Sequence, residues 1–529
     1  MSHSFRSAPA PAFVSAAAAH PRPLAASGAT ALIAAVLAAS PARAADVEMT
    51  SESAAQAYDV RSPTGEQVLT RRRFTTTLGV GAYDLLSTPV GDPRAPDLSF
   101  RARLRYDADF GASSDDQNPA KTATFVPGYQ SALGAVDLMY AYVEGRRFFH
   151  GLVGFKLGRQ YVVDSLGWWS FDGAEASVTT PFYVKAEAYG GLEERGGLPL
   201  STTRFESEGV WRGDRSGFDA SLYPAFQPAA IAPAFGVAVE SAGVTWIHGR
   251  LSYRRVYDTG DSNVTEFTSG LYTPAVYGGT RIASDRLGYA VDASLAGVGG
   301  AKAGVVYDLF RADVTSIYGS IDASLIRRVT LSADYDYYVP SFDGDSIWNF
   351  FAAEPTNDVG LRANVDVDPR ISIAGGGQLK IFDVQTGPYS SSTGYSPYAN
   401  YTPGQVVYPS NGHPFDEGAH LSARYRTGIT TVALRGAGNF GDEGDRVGAD
   451  VSGQRILDGR YVASLRTGVW QWKDDLRPDR DATSFNYVLG LGYKFLDRSQ
   501  AMVEWEHDMN RLAGQRFRLM FLLAVAVGQ

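Results

Sequence analysis

Residues Leu98 to Phe110 alternate without interruption. Leu98, Phe100, Ala102, Leu104, Tyr106, Ala108 and Phe110 fall on one side of an extended chain, and Ser99, Arg101, Arg103, Arg105, Asp107 and Asp109 fall on the other. One face of this strand suits hydrocarbon and the opposite face suits water. A soluble sandwich can use such a strand, but a membrane barrel requires it, with lipid outside and a wet lumen inside.

Weaker copies of the pattern run almost to the last residue. Phe74, Thr76, Leu78, Val80 and Ala82 share a face, with Arg71 and Arg73 in the opposite parity. Leu421, Ala423 and Tyr425 oppose Arg424 and Arg426; Tyr461, Ala463, Leu465 and Val469 oppose Ser464 and Arg466. Phe485 to Phe495 carries an unbroken apolar row, and Ala501, Val503 and Trp505 oppose Glu504, Glu506 and Asp508. Phe517 to Val527 closes the series with Arg516 and Arg518 behind it.

Length separates the two architectures better than alternation does. Crossing a bilayer takes about nine to eleven residues per tilted strand, whereas ordinary strands average about five or six. Most runs here reach the longer figure. Backbone groups in hydrocarbon must all be paired, so such a sheet must close on itself. The expectation is an all-β fold, a single transmembrane antiparallel β-barrel of about eighteen strands (range roughly 16–20), with an even count. Aromatic pairs near strand ends, Tyr337 with Tyr338, Trp168 with Trp169 and Trp470 with Trp472, are candidates for interfacial girdles, as is the cluster Trp348, Phe350 and Phe351.

Before the strands, an apolar run from Gly28 to Ala39 is followed by Ala42 and Ala44 in the small-x-small arrangement of a signal-peptidase site. The expected organisation is a signal peptide over 1–44, a flexible periplasmic lead over 45–67 and the barrel over 68–529. Long loops fall near 191–235, 258–280, 340–356 and 383–415, and a tight turn at Asp368-Pro369-Arg370. The region 429–455 holds either one strand or two.

Cysteine is absent, which excludes disulfides, thiolate catalysis and cysteine metal sites. A net charge of -9 speaks against a general nucleic-acid binder. The histidines have no recognised metal spacing, and no nucleophile elbow stands out. Neither an enzyme nor a cofactor is expected, and no metal ligand is assigned. The acidic runs at 342–346 and 441–446 read as solvated turns or weak Ca²⁺ ligands.

Closure makes the first and last strands neighbours. Arg71 and Arg73 then lie between Arg101, Arg103 and Arg105 on one side and Arg516 and Arg518 on the other, with Glu504 and Glu506 one strand further. Asp107, Asp109, Arg159, Arg424, Arg426 and Arg466 complete the expected pore-lining set. An arginine-rich stripe in a water-filled lumen attracts anions; alternatively the same arginines pair with nearby carboxylates and brace the wall.

The stretch FKLGRQ (155–160) followed by GWWSFDG (167–173) resembles outer-membrane porins of the alginate-export and related substrate-specific type, and 335–351 resembles a segment of uncharacterised deltaproteobacterial outer-membrane barrels. The first resemblance implies a lumen lined by arginines and acids, with Arg159 facing it near one rim. The chain departs from such barrels in ending Val527-Gly528-Gln529 rather than on an aromatic residue. The resulting expectation is an outer-membrane porin for passive diffusion of small polar or anionic solutes, constricted by 383–415. Its partners would be outer-membrane lipid and lipopolysaccharide, the barrel-assembly machinery and the solute, with no nucleic acid. The alternatives are a scaffold barrel around partner proteins, including an electron-transfer conduit, and a secreted soluble β-protein.

Overall fold

The computed structural model describes residues 46–86, 95–111, 135–194, 232–259, 262–268, 271–277, 279–310, 312–339, 355–382, 415–441, 444–473 and 481–528. The expected signal peptide therefore lies outside the described residues. So do most of the loops expected at 191–235, 340–356 and 383–415, including the constriction assigned to the last, and the aromatic cluster at 348–351.

The first half of the wall comprises β1 (Asp46–Arg61), β2 (Gln67–Tyr83), β3 (Asp97–Gly111), β4 (Ala135–Arg147), β5 (Val153–Asp164), β6 (Gly167–Thr179), β7 (Val184–Glu193), β8 (Pro233–Ser241) and β9 (Ile247–Asp258). A separate two-stranded hairpin, β10 (Ser262–Thr268) with β11 (Leu271–Tyr277), interrupts the series where a plain loop over 258–280 was expected. The wall resumes with β12 (Arg281–Leu295), β13 (Gly299–Asp308), β14 (Asp313–Ile326), β15 (Val329–Tyr338), β16 (Thr356–Asp366), β17 (Ile371–Phe382) and β18 (Phe415–Arg426). It ends with β19 (Thr430–Gly441), β20 (Gly444–Leu457), β21 (Tyr461–Trp472), β22 (Ala482–Leu496), β23 (Ser499–Asn510) and β24 (Gly514–Gly528).

Every strand of the wall pairs antiparallel with its sequence neighbours, β9 with β12 across the hairpin, and β1 pairs with β24 from Glu48↔Gly528 to Arg61↔Gln515. The ring is closed, so no backbone edge is left for hydrocarbon to meet.

The ring has 22 strands rather than about eighteen. Two of the additional strands are readily traced. Residues 46–61, expected to be a flexible lead, form β1. After Met49 its outward row (Ser51, Ser53, Ala55, Ala57) is serine and alanine only, so no strong hydrophobic period marks it; β1 is held by ladders on both edges instead. Residues 429–455 are two strands, β19 and β20, joined at Gly441↔Gly444.

Opposed residues in an antiparallel ladder share a face, so register sorts the whole wall. The outward row includes Ile321, Leu361, Leu421 and Leu491, which are 61%, 64%, 64% and 71% exposed. Side chains of this kind buried between two sheets would have meant a sandwich; here they face outward around a single ring. Aromatic side chains gather at two levels of that row. Tyr461 and Tyr493 sit 5.1 Å apart near one rim, while Phe485, Tyr487, His507 and Phe517 cluster near the other. Tyr493 to Phe485 spans roughly 27 Å of strand, about 20 Å along the barrel axis once a strand tilt of about 35–45° is allowed for.

The two rims differ. The long connections (112–134, 194–232, 339–355 and 383–414) all fall on one rim, which also carries the short turns after β1, β5, β13, β19 and β23. The opposite rim carries the start of β1, the end of β24 and mostly tight turns, such as 427–429 and 458–460. At the expected Pro369 turn, the Asp368 carboxylate accepts hydrogen bonds from the backbone N–H groups of Arg370 (2.6 Å) and Ile371 (2.9 Å).

Candidate functional site: a charged lumen narrowed by an inward hairpin

The inward parity carries the charge. On β3, Arg101, Arg103 and Arg105 face the lumen opposite Gly81, Gly79 and Thr77 of β2. Glycine and threonine leave room for guanidinium groups to lie along the wall. The arginine stripe differs from expectation in one respect: β1 stands between β24 and β2. Tyr58, not another arginine, is opposite both Arg71 and Arg518, and Gln56 is opposite Arg73. Asp107 and Asp109 are opposite Thr75 and Arg73 in register; the side chains of Arg71, Asp107 and Asp109 lie outside the described residues.

The arginines of the stripe divide into paired and unpaired ones. Arg103 donates to Glu52 at 2.6 Å and to Thr77 at 2.8 Å, so β1 supplies a bracing carboxylate. Arg516 bridges Glu506 (2.7 Å) and Asp508 (2.6 Å), Arg518 also pairs with Glu506, and Arg466 lies 3.6 Å from Glu504. Arg101, by contrast, lies over the Tyr83 ring at 5.2 Å. Among the described residues no carboxylate is within ion-pair distance of Arg101, Arg424 or Arg426. Arg424 and Arg426 face inward on β18, opposite Ala433 and Thr431.

Arg159 departs from expectation. Its register partners are Ala141 and Asp172, which belong to the outward parity; the inward residues of β5 are Lys156, Gly158, Gln160 and Val162. The pairing of β4 with β5 ends at Ala141↔Arg159. There Arg159 donates to the Leu138 carbonyl (3.0 Å), to Asp172 (2.7 and 2.8 Å) and to Glu194 (2.5 Å), and Ser170 donates to Glu194 at 2.8 Å. The residue is a brace where the ladder stops, satisfying a β4 carbonyl that the ladder no longer reaches.

Beyond that point the β5–β6 hairpin turns into the lumen. Gly288, inward on β12, lies so close to the hairpin turn that a Cβ there would collide with Ser165 Oγ and lie 2.7 Å from Leu166 Cδ2. β12 is four strands along the ring from β6, so this contact is made across the interior. Arg254 on β9 donates to the Leu166 carbonyl at 2.9 Å and lies over the Trp169 ring at 5.3 Å.

Under the hairpin, Phe171 is fully buried, stacked on Trp169 at 4.4 Å and packed with Tyr189, Ala234 and Val256. The inward row of β8 (Ala234, Gly236, Ala238) is small enough to receive it. A crease makes the bend possible. Gly158, at φ +124°, is opposite Gly173, and both Gly173 and Gly191 touch backbone where a Cβ would collide. Trp169 is thus a lumen-side core residue and not part of a girdle. Trp470 is also inward, opposite Ser484, with Arg446 over its ring at 4.5 Å.

Toward the short-turn rim the same sector carries an ion-pair network on adjacent strands. Lys185 lies 3.0 Å from Glu240 and also pairs with Glu187, and Arg250 reaches Glu187 and Glu240 at 2.5 Å each. Lys156 lies 3.1 Å from Glu175. Sequence reasoning missed the hairpin and this network. The hairpin's signal was the strand Gly167–Thr179, where Trp169 and Phe171 share a parity with charged Glu175. Among the described residues no group of three or more His, Asp or Glu side chains has the geometry of a metal site; residues 342–346 lie outside them.

The geometry defines a class: a closed antiparallel β-barrel, apolar outside and charged within. No protein-family model matches the sequence, and no curated protein matches it. Solved structures with a similar course include Acinetobacter baumannii OccAB4, at TM-score 0.42 and 7% identity, covering 92% of this chain and 99% of that one. Pseudomonas aeruginosa OpdK with vanillate matches at TM-score 0.39 and 8% identity (92% and 99% covered), and P. aeruginosa OccK9 (OpdG) at 0.38 and 8% (92% and 98%). Likeness at this level transfers no solute and no residue role to this chain.

Proposed function

We propose that the chain is an outer-membrane channel through which small polar and anionic solutes diffuse passively. One observation carries the reading: a single closed ring turns exposed leucine and isoleucine outward and arginine, aspartate and glutamate inward. A wall with that polarity separates hydrocarbon from water and leaves a polar path through the middle. By the same rule the short-turn rim, with both ends of the described chain, faces the periplasm, and the long connections face outward from the cell. The lipid partner is acyl chains and lipopolysaccharide around the outward belt, and the leader over 1–44 is removed on export.

A ring of this size encloses more space than a selective pore needs, and wide barrels are in general partly filled. The inward β5–β6 hairpin supplies the filling, and the path runs between it and the arginine wall of β24, β1, β2 and β3. Anions are favoured where guanidinium groups lack carboxylate partners.

Planar-bilayer recording tests this directly. The folded chain is expected to give discrete conductance steps with anion preference, and replacing Arg101, Arg103 and Arg105 by Gln is expected to shift the reversal potential towards cations. An unchanged reversal potential removes the stripe from selectivity. A folded barrel with no steps favours a scaffold role.

A further inference from the structure

On β16 to β19 the inward wall is built on small residues. Gln378 and Asn439 lean over Gly418, Ala374, Gly376 and Ala437 line the same level, and cations stand around them. Arg362 on β16 is opposite Gly376 on β17, which is opposite His420 on β18, which is opposite Ala437 on β19. Arg435 on β19 occupies the next inward place, opposite Ser422. A Cβ at residue 376 would lie 2.9 Å from His420 Cε1 and collide with the Leu361 carbonyl. The imidazole therefore leans over Gly376 towards Arg362. Among the described residues no carboxylate is within ion-pair distance of Arg362 or Arg435, although Asp450 is opposite Arg435 in register. This differs from the β23–β24 wall, where carboxylates hold the arginines.

We propose that Arg362, His420 and Arg435 form an oxyanion-binding station that holds a solute by its carboxylate, sulfate or phosphate group, more tightly when His420 is protonated. The reading deepens the channel function above and rests on it. Arg362 and Arg435 stand three strand spacings apart, roughly 14 Å between backbones, with His420 on a strand between them; imidazole is the side chain whose ordinary titration lies nearest neutral pH. A bound oxyanion and the imidazolium stabilise each other, so binding and protonation are linked in both directions.

Other charges share this inward face, and Asp334 on β15 leans over Gly360, one inward place from Arg362. Asp358, Lys380 and Asp416 form one row across β16, β17 and β18 towards the long-loop rim, with the lysine between the two acids. Arg424 lies towards the opposite rim, two inward places from His420 along β18, and adds to the positive field. Asp450 on β20 faces Arg435 and is the acid that competes with the solute.

The test uses the full folded barrel in detergent and histidine-ring NMR, with sulfate as the probe because it stays dianionic across the titration. His420→Gln identifies the resonance. Sulfate, compared with chloride at equal ionic strength, is expected to raise the His420 midpoint by about half a pH unit or more, equivalent to about threefold tighter binding to the protonated form. Arg362→Gln and Arg435→Gln are each expected to diminish that shift. A midpoint indifferent to sulfate, or a shift undiminished in both arginine variants, overturns the station. In bilayers, sulfate is expected to block current more strongly at pH 5.5 than at pH 7.5, and His420→Gln is expected to abolish the difference. A sulfate-dependent midpoint in a barrel that conducts nothing keeps the station and removes the channel; conduction without the midpoint shift does the reverse.

Discussion

The wall of β18 to β24 and the sector of β5 to β9 obey the same period of two and end in different places. In the first, each strand has one face in lipid and one in the lumen, and Leu421 and Leu491 stay 64% and 71% exposed. In the second, the lumen face is itself covered: Arg254 on β9 is 6% exposed, lying against Leu166 and Trp169 of a hairpin from the same ring. Alternation tells which residues share a face. What that face meets is decided by a glycine crease several strands away.

The comparison can be broken most sharply at Phe171. Phe171→Ala is expected to remove about 3–5 kcal/mol of packing beneath the hairpin and to enlarge the single-channel conductance as the tip loses its seat. An unaltered conductance would show that the hairpin does not narrow the path. Next, Leu491→Arg places a charge on the lipid face and is expected to cost about 2–4 kcal/mol in vesicle unfolding titrations. The inward change Asn486→Arg on the same strand should cost far less, because Asn486 is exposed on the lumen side. Equal costs would mean that the two faces are not lipid and lumen.

Arg159→Ala removes the brace where the β4–β5 ladder stops. It is expected to cost roughly 1–3 kcal/mol, the range for hydrogen bonds to a charged group, and to make the 159–172 tip more open to protease and the current noisier. A silent variant would return Arg159 to the rank of a surface ion pair. The smallest effect is expected at Arg61, half exposed and 3.0 Å from Asp59 at the rim. Arg61→Ala should change stability by less than about 0.5 kcal/mol, and a larger change would show that this rim is less wet than its exposure indicates.

The regular wall was legible in the sequence because lipid imposes one requirement on every outward residue. Leu98 to Tyr106 and Phe485 to Tyr493 could be assigned face by face, and register bears them out. β1 was not legible, since its outward Ser51, Ser53 and Ala55 carry no hydrophobic signal and its place comes from two partners distant in sequence. The site was half legible. The arginines of β3 and β24 were found, but the intervening Glu48 and Glu52 of β1 were not, so the extent of pairing could not be foreseen. Arg159 was assigned to the lumen from a motif, while the parity of its own strand places it with Leu157 and Tyr161. The inward fold of β5–β6 depends on contacts with Gly288 and Arg254, about a hundred residues away, which no local pattern encodes.

The seam between β1 and β24 has a consequence for biogenesis. It joins segments more than four hundred and fifty positions apart, so its loop-closure cost falls on nearly the entire polypeptide. Until Phe517 to Val527 meets Met49 to Asp59, the growing sheet displays two unpaired edges, each a template for a wrong partner. Assembly therefore calls for something that occupies those edges in turn, and the last hydrogen bonds to form are the ones that make the molecule safe in a crowded membrane.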